Sequence, residues 1–351
     1  MSVASKATNA STGFQLLRNP DNPSPDEVSA ALKLVRSGGI THPQTATPDR
    51  SLSIASVCSP SRSIKLGIYD PASLSSTARR PVILNWHGSG FVVDRFGADA
   101  DVNRWLVDEL RNVSVVDADY AKAPEHRFPE GLHDAVSALK WVVAQPWFDG
   151  NLVVKGHSAG ANFAVCLASR TIALSLGVTP EEYSHIKACV ALYPPTDSSI
   201  PLHQKPTNEH GELPGVPMSP LSAQIMHFFF GAYLGWDAQT QLQMGQDPRV
   251  SPAKASIESF QVPCYIIACE HDPLGPEAKA FAQRLMQSDQ RHKLYCAQGV
   301  GHSYETRIPD VRHDNVLQSA GGKTKVESFQ LMLDFIRDNV DTVEKQLVNP
   351  V

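Results

Sequence analysis

The 351-residue chain predicts an α/β fold, a mostly parallel central sheet with helices on both faces. Three observations carry that expectation. Short apolar runs, such as Pro81-Val82-Ile83-Leu84-Asn85-Trp86, read as strands buried on both faces. Longer stretches with helical spacing alternate with them. Hydrophobic residues make up 42% of the chain, enough for a large core at a length that allows about two domains, or one domain with an insertion.

Residues 1–50 are polar and hold one helix-like piece. Pro25, Asp26 and Glu27 after Ser24 are start signals and Gly38-Gly39 is a stop signal. Val28, Ala31, Leu32 and Val35 form a single apolar stripe. From about residue 62 the alternation begins. The strand ending at Trp86 runs into a glycine turn, and a helix over 103–110, a strand over 113–118 and a helix over 134–143 follow. Next come a strand over 152–155, a helix over 161–174 and a strand over 186–193. The chain then reads as a strand over 264–269, a helix over 277–286, a strand over 292–297 and a last helix over 325–347. Residues 199–258 break the pattern with seven prolines and a helix-like piece between Ser222 and Trp236. An interruption that long between two core strands reads as a functional insertion. The expected division is an N-terminal segment, 1–60, that joins a cap, a core of 61–198 and 259–351, and a cap insertion, 199–258.

Lys plus Arg number 31 against 36 Asp plus Glu, a net charge of −5, which argues against a nucleic-acid binder. No apolar run reaches the roughly 18 residues of a membrane helix. The greasiest, 225–236, contains His227 and two glycines. The first residues lack the apolar core of a secretory leader. The six cysteines lie mostly in apolar runs and read as buried free thiols. A cytoplasmic protein, monomer or homodimer, is expected, with Asn9-Ala10-Ser11 and Asn112-Val113-Ser114 as chance glycosylation matches.

The sharpest chemical signal is Gly156-His157-Ser158-Ala159-Gly160, after a short strand and before a helix. A tight strand-to-helix turn of this kind lifts a serine hydroxyl above a sheet, and side chains at 156 and 160 would clash with the neighbouring elements. Serine needs a base, and the base needs an orienting acid. Both belong at the C-terminal ends of later strands. Asp272 is the expected acid, with Glu270 as its competitor, and His302 in Gly299-Val300-Gly301-His302 is the expected base. His271 is a weaker candidate for the base because it would leave His302 unexplained. The loop His87-Gly88-Ser89-Gly90-Phe91 follows an early strand and suits an oxyanion hole. Ser89 and Gly90 are expected to donate N–H groups from it and Ala159 from the helix start, with His87 bracing the loop.

The order His87-Gly88-Ser89-Gly90-Phe91, then 117–135, then Gly156-His157-Ser158-Ala159-Gly160, then Glu270-His271-Asp272-Pro273-Leu274, then Gly299-Val300-Gly301-His302 resembles the hormone-sensitive-lipase-like branch of the α/β hydrolases. These are the type IV esterases, arylacetamide deacetylase-like enzymes among them. The resemblance spans about 80–310 and implies an α/β-hydrolase fold, a carboxylic ester hydrolase with the triad Ser158, Asp272 and His302, and a helical cap. Two positions depart from the family pattern. Ser89 replaces the middle glycine of His-Gly-Gly-Gly, and Ala121 replaces the arginine of Asp-Tyr-Arg-Leu-Ala-Pro-Glu.

Other site classes read poorly. No phosphate-loop pattern is present, Cys264 and Cys269 share one strand, and Glu209, His210 and Glu212 read as a solvated loop. Neither metal nor cofactor is expected. Phe91, His157, Phe229 and Tyr233 are expected to line the substrate pocket; for the aromatics from Phe228 to Trp236, packing of the cap is an equal reading. The expected substrate is a small to medium, moderately apolar ester. The same triad also serves an amidase, thioesterase, lactonase or acyltransferase, in a natural-product pathway among other settings. A non-catalytic ligand receptor on this fold is the remote alternative.

Overall fold

The structure, a computed structural model, describes residues 17, 20–37, 44–206, 221, 223–308, 310–313 and 315–340. Its strands are β1 (Arg50–Ala55), β2 (Ser63–Tyr69), β3 (Arg80–Trp86), β4 (Ser114–Ala118), β5 (Phe148–His157), β6 (Ile186–Leu192), β7 (Cys264–His271) and β8 (Lys293–Gly301). They form one sheet in the order β1-β2-β4-β3-β5-β6-β7-β8. β4 to β8 run parallel with β3 in that order, and β1 and β2 add an antiparallel pair at one edge. Every residue of β3 is buried, as a central strand covered on both faces must be.

Period-two alternation divides the core. Val82, Leu84 and Trp86 of β3 join Leu152 and Val154 of β5 in one apolar cluster. Helices α3 (Glu130–Val143), α4 (Ala159–Ala168) and α9 (Gly275–Leu285) pack there. Ile83, Val115 and Val153 face the other cluster, covered by α2 (Ala100–Leu110) and α10 (Ala320–Asn339). The N-terminal helix α1 (Pro25–Arg36) starts with a complete capping box between Ser24 and Glu27 and buries Ala31 and Val35. Arg36 then ties it to the core, bonding Glu125 and the Val92 and Ala123 carbonyls. In the insertion, α7 (Ala223–Leu234) buries Phe228, Phe230 and Tyr233, and α8 (Ala238–Met244) follows.

Four expectations shift. Residues 50–55, within the stretch expected to join a cap, pair in the sheet as β1. Their alternation of exposed and half-buried residues suits an edge strand. The helix expected over 161–174 is two, α4 and α5 (Arg170–Ser175), because Ser169 is extended, bridges Phe260 and hydrogen-bonds the Ser259 hydroxyl. A further short helix, α6 (Pro180–Ser184), leads into β6. β8 continues past residue 297 to Gly301 and so delivers His302 at its tip. The last helix starts at Ala320, capped by Ser319, rather than at residue 325; residues 341–347 lie outside the described residues, as do 38–39, 209–212 and the Asn9 sequon.

Gly322, in the first turn of α10, tests this packing. Alanine ordinarily stabilises a helix over glycine by about 1 kcal/mol. Here a Cβ would fall 1.6 Å from the Val316 carbonyl oxygen. Gly322→Ala is therefore expected to lower Tm in a thermal melt; an unchanged or raised Tm contradicts the contact.

Candidate active site

Ser158 sits between β5 and α4 with φ 50° and ψ −115°. A non-glycine residue in that region costs on the order of 1–3 kcal/mol and persists only where its surroundings hold it. Its N–H donates to the Leu192 carbonyl (2.9 Å), and its own carbonyl accepts from Asn162 (3.0 Å). A Cβ at Gly156 would lie 2.2 Å from the Gly160 carbonyl, so the tight turn tolerates no side chain there.

The structure brings together three groups from three strand ends. His302 Nε2 lies 2.8 Å from Ser158 Oγ, and its Nδ1 lies 2.7 Å from Asp272 Oδ2. Asp272 Oδ1 accepts the Leu274 N–H at 3.0 Å, which orients the carboxyl. Relative exposures of 7%, 5% and 2% for Ser158, His302 and Asp272 place all three out of bulk water. A carboxylate only accepts, so Nδ1 carries the proton and Nε2 is left to accept from the serine hydroxyl. Glu270 points elsewhere: its Oε2 accepts the Gly299 N–H, and His271 lies 3.7 Å from it.

The loop after β3 closes against this group. A Cβ on Gly88 would lie 3.2 Å from the Ser158 Cβ. Among the described residues the Ser89 and Gly90 N–H groups have no partner, and Ala159 as the first residue of α4 has none within its helix. Three donors are thus free beside the serine. The Tyr120 hydroxyl donates to the His87 carbonyl (2.7 Å) and accepts from the Ser89 hydroxyl (2.6 Å). The side chain at the family's glycine position therefore braces the loop. His87 is fully buried and stacks on Tyr120 at 4.7 Å. Burial, reinforced by the Lys122 charge, holds its imidazole below the ordinary histidine range, against the opposing pull of Asp119. At Ala121, where the family carries arginine, the backbone N–H donates to Asp134, and Arg62 pairs with that same carboxylate.

The expected pocket residues separate. Phe229 is half-buried and stands over the loop: a Cβ on Gly90 would fall 2.2 Å from its ring. Phe91 and Tyr233 are stacked at 3.9 Å and buried, joining α7 to the loop. His157 is buried on the opposite face of the sheet, because alternation along β5 turns residues 155 and 157 away from the serine. There Lys155 donates to Asn85 Oδ1 and His157 Nε2, both at 2.7 Å, and Asn85 Nδ2 donates to Asp99 and Asp117. Neither Tyr120 nor this charged layer announces itself in the sequence. Only Lys155 and His157, after the apolar Leu152-Val153-Val154 of β5, hint at it.

Three comparisons bear on the site. The family described as alpha/beta hydrolase fold matches residues 83–306. An ethyl acetate hydrolase of Pseudomonas putida is 29% identical over 241 residues, 68% of this chain and 70% of that protein. The esterase LipI of Mycobacterium tuberculosis is 27% identical over 271 residues, 75% of this chain and 76% of its own. An esterase structure from Pyrobaculum calidifontis superposes with a TM-score of 0.64 at 25% identity, covering 96% of this chain and 93% of that one.

Burial, and next the Asp99 charge, push the Asp117 carboxyl up to about 7. The folded state then holds a proton that the unfolded chain releases near ~4, so this group lowers stability as pH rises from ~4 towards 7. Asp117→Asn is expected to raise Tm more at pH 8 than at pH 5. Equal shifts at both pH values would contradict a proton held there.

Proposed function

We propose that this chain, which belongs to the alpha/beta hydrolase family in its hormone-sensitive-lipase-like branch, is a serine-dependent carboxylic ester hydrolase. The observation that carries the reading is the pair of hydrogen bonds Asp272–His302–Ser158 beside three unpartnered N–H groups. His302 Nε2 accepts the hydroxyl proton as Ser158 Oγ attacks the ester carbonyl. The carbonyl oxygen becomes an oxyanion held by the N–H groups of Ser89, Gly90 and Ala159. Asp272 keeps the imidazole in the required tautomer and stabilises its cation. The C–O bond breaks, the alcohol leaves with the proton from Nε2, and water then hydrolyses the acyl-enzyme by the same proton route in reverse.

The substrate is a small to medium, moderately apolar ester. Phe229 over the oxyanion loop supports this, as does similarity to a hydrolase of ethyl acetate. The N-terminal segment and the insertion act as the cap, a reading supported by α7, which carries both Phe229 and Tyr233. No helix of the described residues is long and apolar enough to cross a membrane. The six cysteines are all free, which supports a cytoplasmic setting. Each chain carries the whole group, so a monomer suffices for the chemistry and a homodimer remains compatible.

Ser158→Ala is expected to abolish labelling by a fluorophosphonate probe and to lower ester turnover by on the order of 10⁴-fold or more. Equal labelling of both proteins contradicts Ser158 as nucleophile. Phe229→Ala is expected to shift a p-nitrophenyl ester series towards longer acyl chains, read as kcat/KM; an unaltered profile removes Phe229 from the pocket.

A further inference from the structure

Ser158 and His302 come from strands 144 residues apart, and the bond between them is not the only link between their loops. His157, the residue before the serine, lies with its Nδ1 3.2 Å from Oε1 of Glu305, three residues after the base. The Tyr193 hydroxyl donates to the same Oε1. Tyr193 follows β6 directly, takes a left-handed backbone (φ 43°) and packs its ring edgewise on the His302 imidazole, centroids 4.7 Å apart. A left-handed tyrosine needs external support; its N–H donates to the Ile267 carbonyl at 2.7 Å.

The donors in this knot are fixed in direction. Lys155 donates to His157 Nε2, so the His157 proton sits on Nδ1 and points at Glu305. Burial alone would raise the Glu305 carboxyl, but the hydrogen bonds from His157 and the Tyr193 hydroxyl outweigh it and hold it below the usual range. Lys325 donates to the Glu305 carbonyl at 2.9 Å and clamps the turn from outside. The second carboxylate oxygen, Oε2, is buried without a partner among the described residues. Glu305 thus spends one oxygen on two contacts, each of which reaches one member of the Ser158–His302 pair.

We propose that Glu305 is a positioning residue for hydrolysis: through His157 it ties the serine turn to the loop of the base, and through Tyr193 it sets the plane of the His302 ring. This rests on the serine-hydrolase reading above. Glu305 touches neither substrate nor reacting atoms. It acts by fixing the Ser158–His302 geometry before substrate arrives, and a displacement of about 1 Å in such a geometry costs on the order of 10²-fold in rate.

The test compares wild type, Glu305→Gln, Glu305→Asp and Tyr193→Phe in steady-state ester hydrolysis, fluorophosphonate labelling rate and Tm. Gln keeps the length and an accepting oxygen, so Glu305→Gln retains the fold and is expected to lose about 10-fold in kcat with KM within about 2-fold. Glu305→Asp withdraws the oxygen from both partners and is expected to lose about 100-fold. Labelling should slow in the same proportions, and combining Tyr193→Phe with Glu305→Gln should cost less than the product of the single losses. Wild-type kcat and labelling in Glu305→Gln and Tyr193→Phe overturn the positioning role, as do losses that track only the folded fraction at assay temperature. Failure of the wild type itself to label at Ser158 overturns the serine-hydrolase reading and the proposal with it.

Discussion

A Cβ at residue 160 would lie 2.0 Å from the Trp86 carbonyl oxygen and 2.8 Å from that of His87. Helix α4 therefore begins in backbone contact with the end of β3, and only glycine permits it. The contact sets the distances that follow. It fixes how far Ser158 rises above the sheet, and it places the Ala159 N–H beside the loop that leaves β3. That loop carries Ser89 and Gly90, and its Gly88 packs against Ser158. The strain at Ser158 is a consequence of this closeness, and the bonds to Leu192 and Asn162 hold the serine in place.

The elements legible in the sequence are those whose burial is complete. β3, β5, β6 and β7 are covered by helices on both faces, and strands so enclosed read as largely apolar runs. Ser158 and Asp272 each follow such a run at a turn, whereas His302 follows the edge strand β8 and is marked only by its glycine turn, Gly299-Val300-Gly301. The weaker signals belong to places where tertiary contacts override local pattern. β1 lies at the sheet edge, where half its residues face solvent and the apolar run disappears. Ser169 interrupts a helical stretch only because Ser259 and Phe260 come to meet it from 90 residues away. The last helix starts at Ala320, before the expected residue 325, and its first turn holds Gly322 where a Cβ would meet the Val316 carbonyl.

His157 shows a different limit. Position 157 next to the serine invites a role in the pocket, but neighbours along a strand point to opposite faces. Its partner Glu305 lies 148 residues away, and a single acid among 36 acidic residues carries no local mark. Pairwise contacts between distant polar residues are set by the register of the strands, which composition and periodicity do not specify. The same holds for Tyr120, whose hydroxyl serves the oxyanion loop from across β4.

The sheet consequently separates two electrostatic environments. On the reaction side lie glycines, Phe229 and free N–H groups, with the Asp272 carboxylate screened behind its histidine. On the far side lie Lys155, His157, Asp99, Asp117 and Glu305, a layer buried as deeply as any apolar core. Burying such charges is costly unless they pair and are hydrogen-bonded, and here Asn85 serves three of them at once. Lys155, Asn85 and His157 tie these groups into one hydrogen-bonded layer.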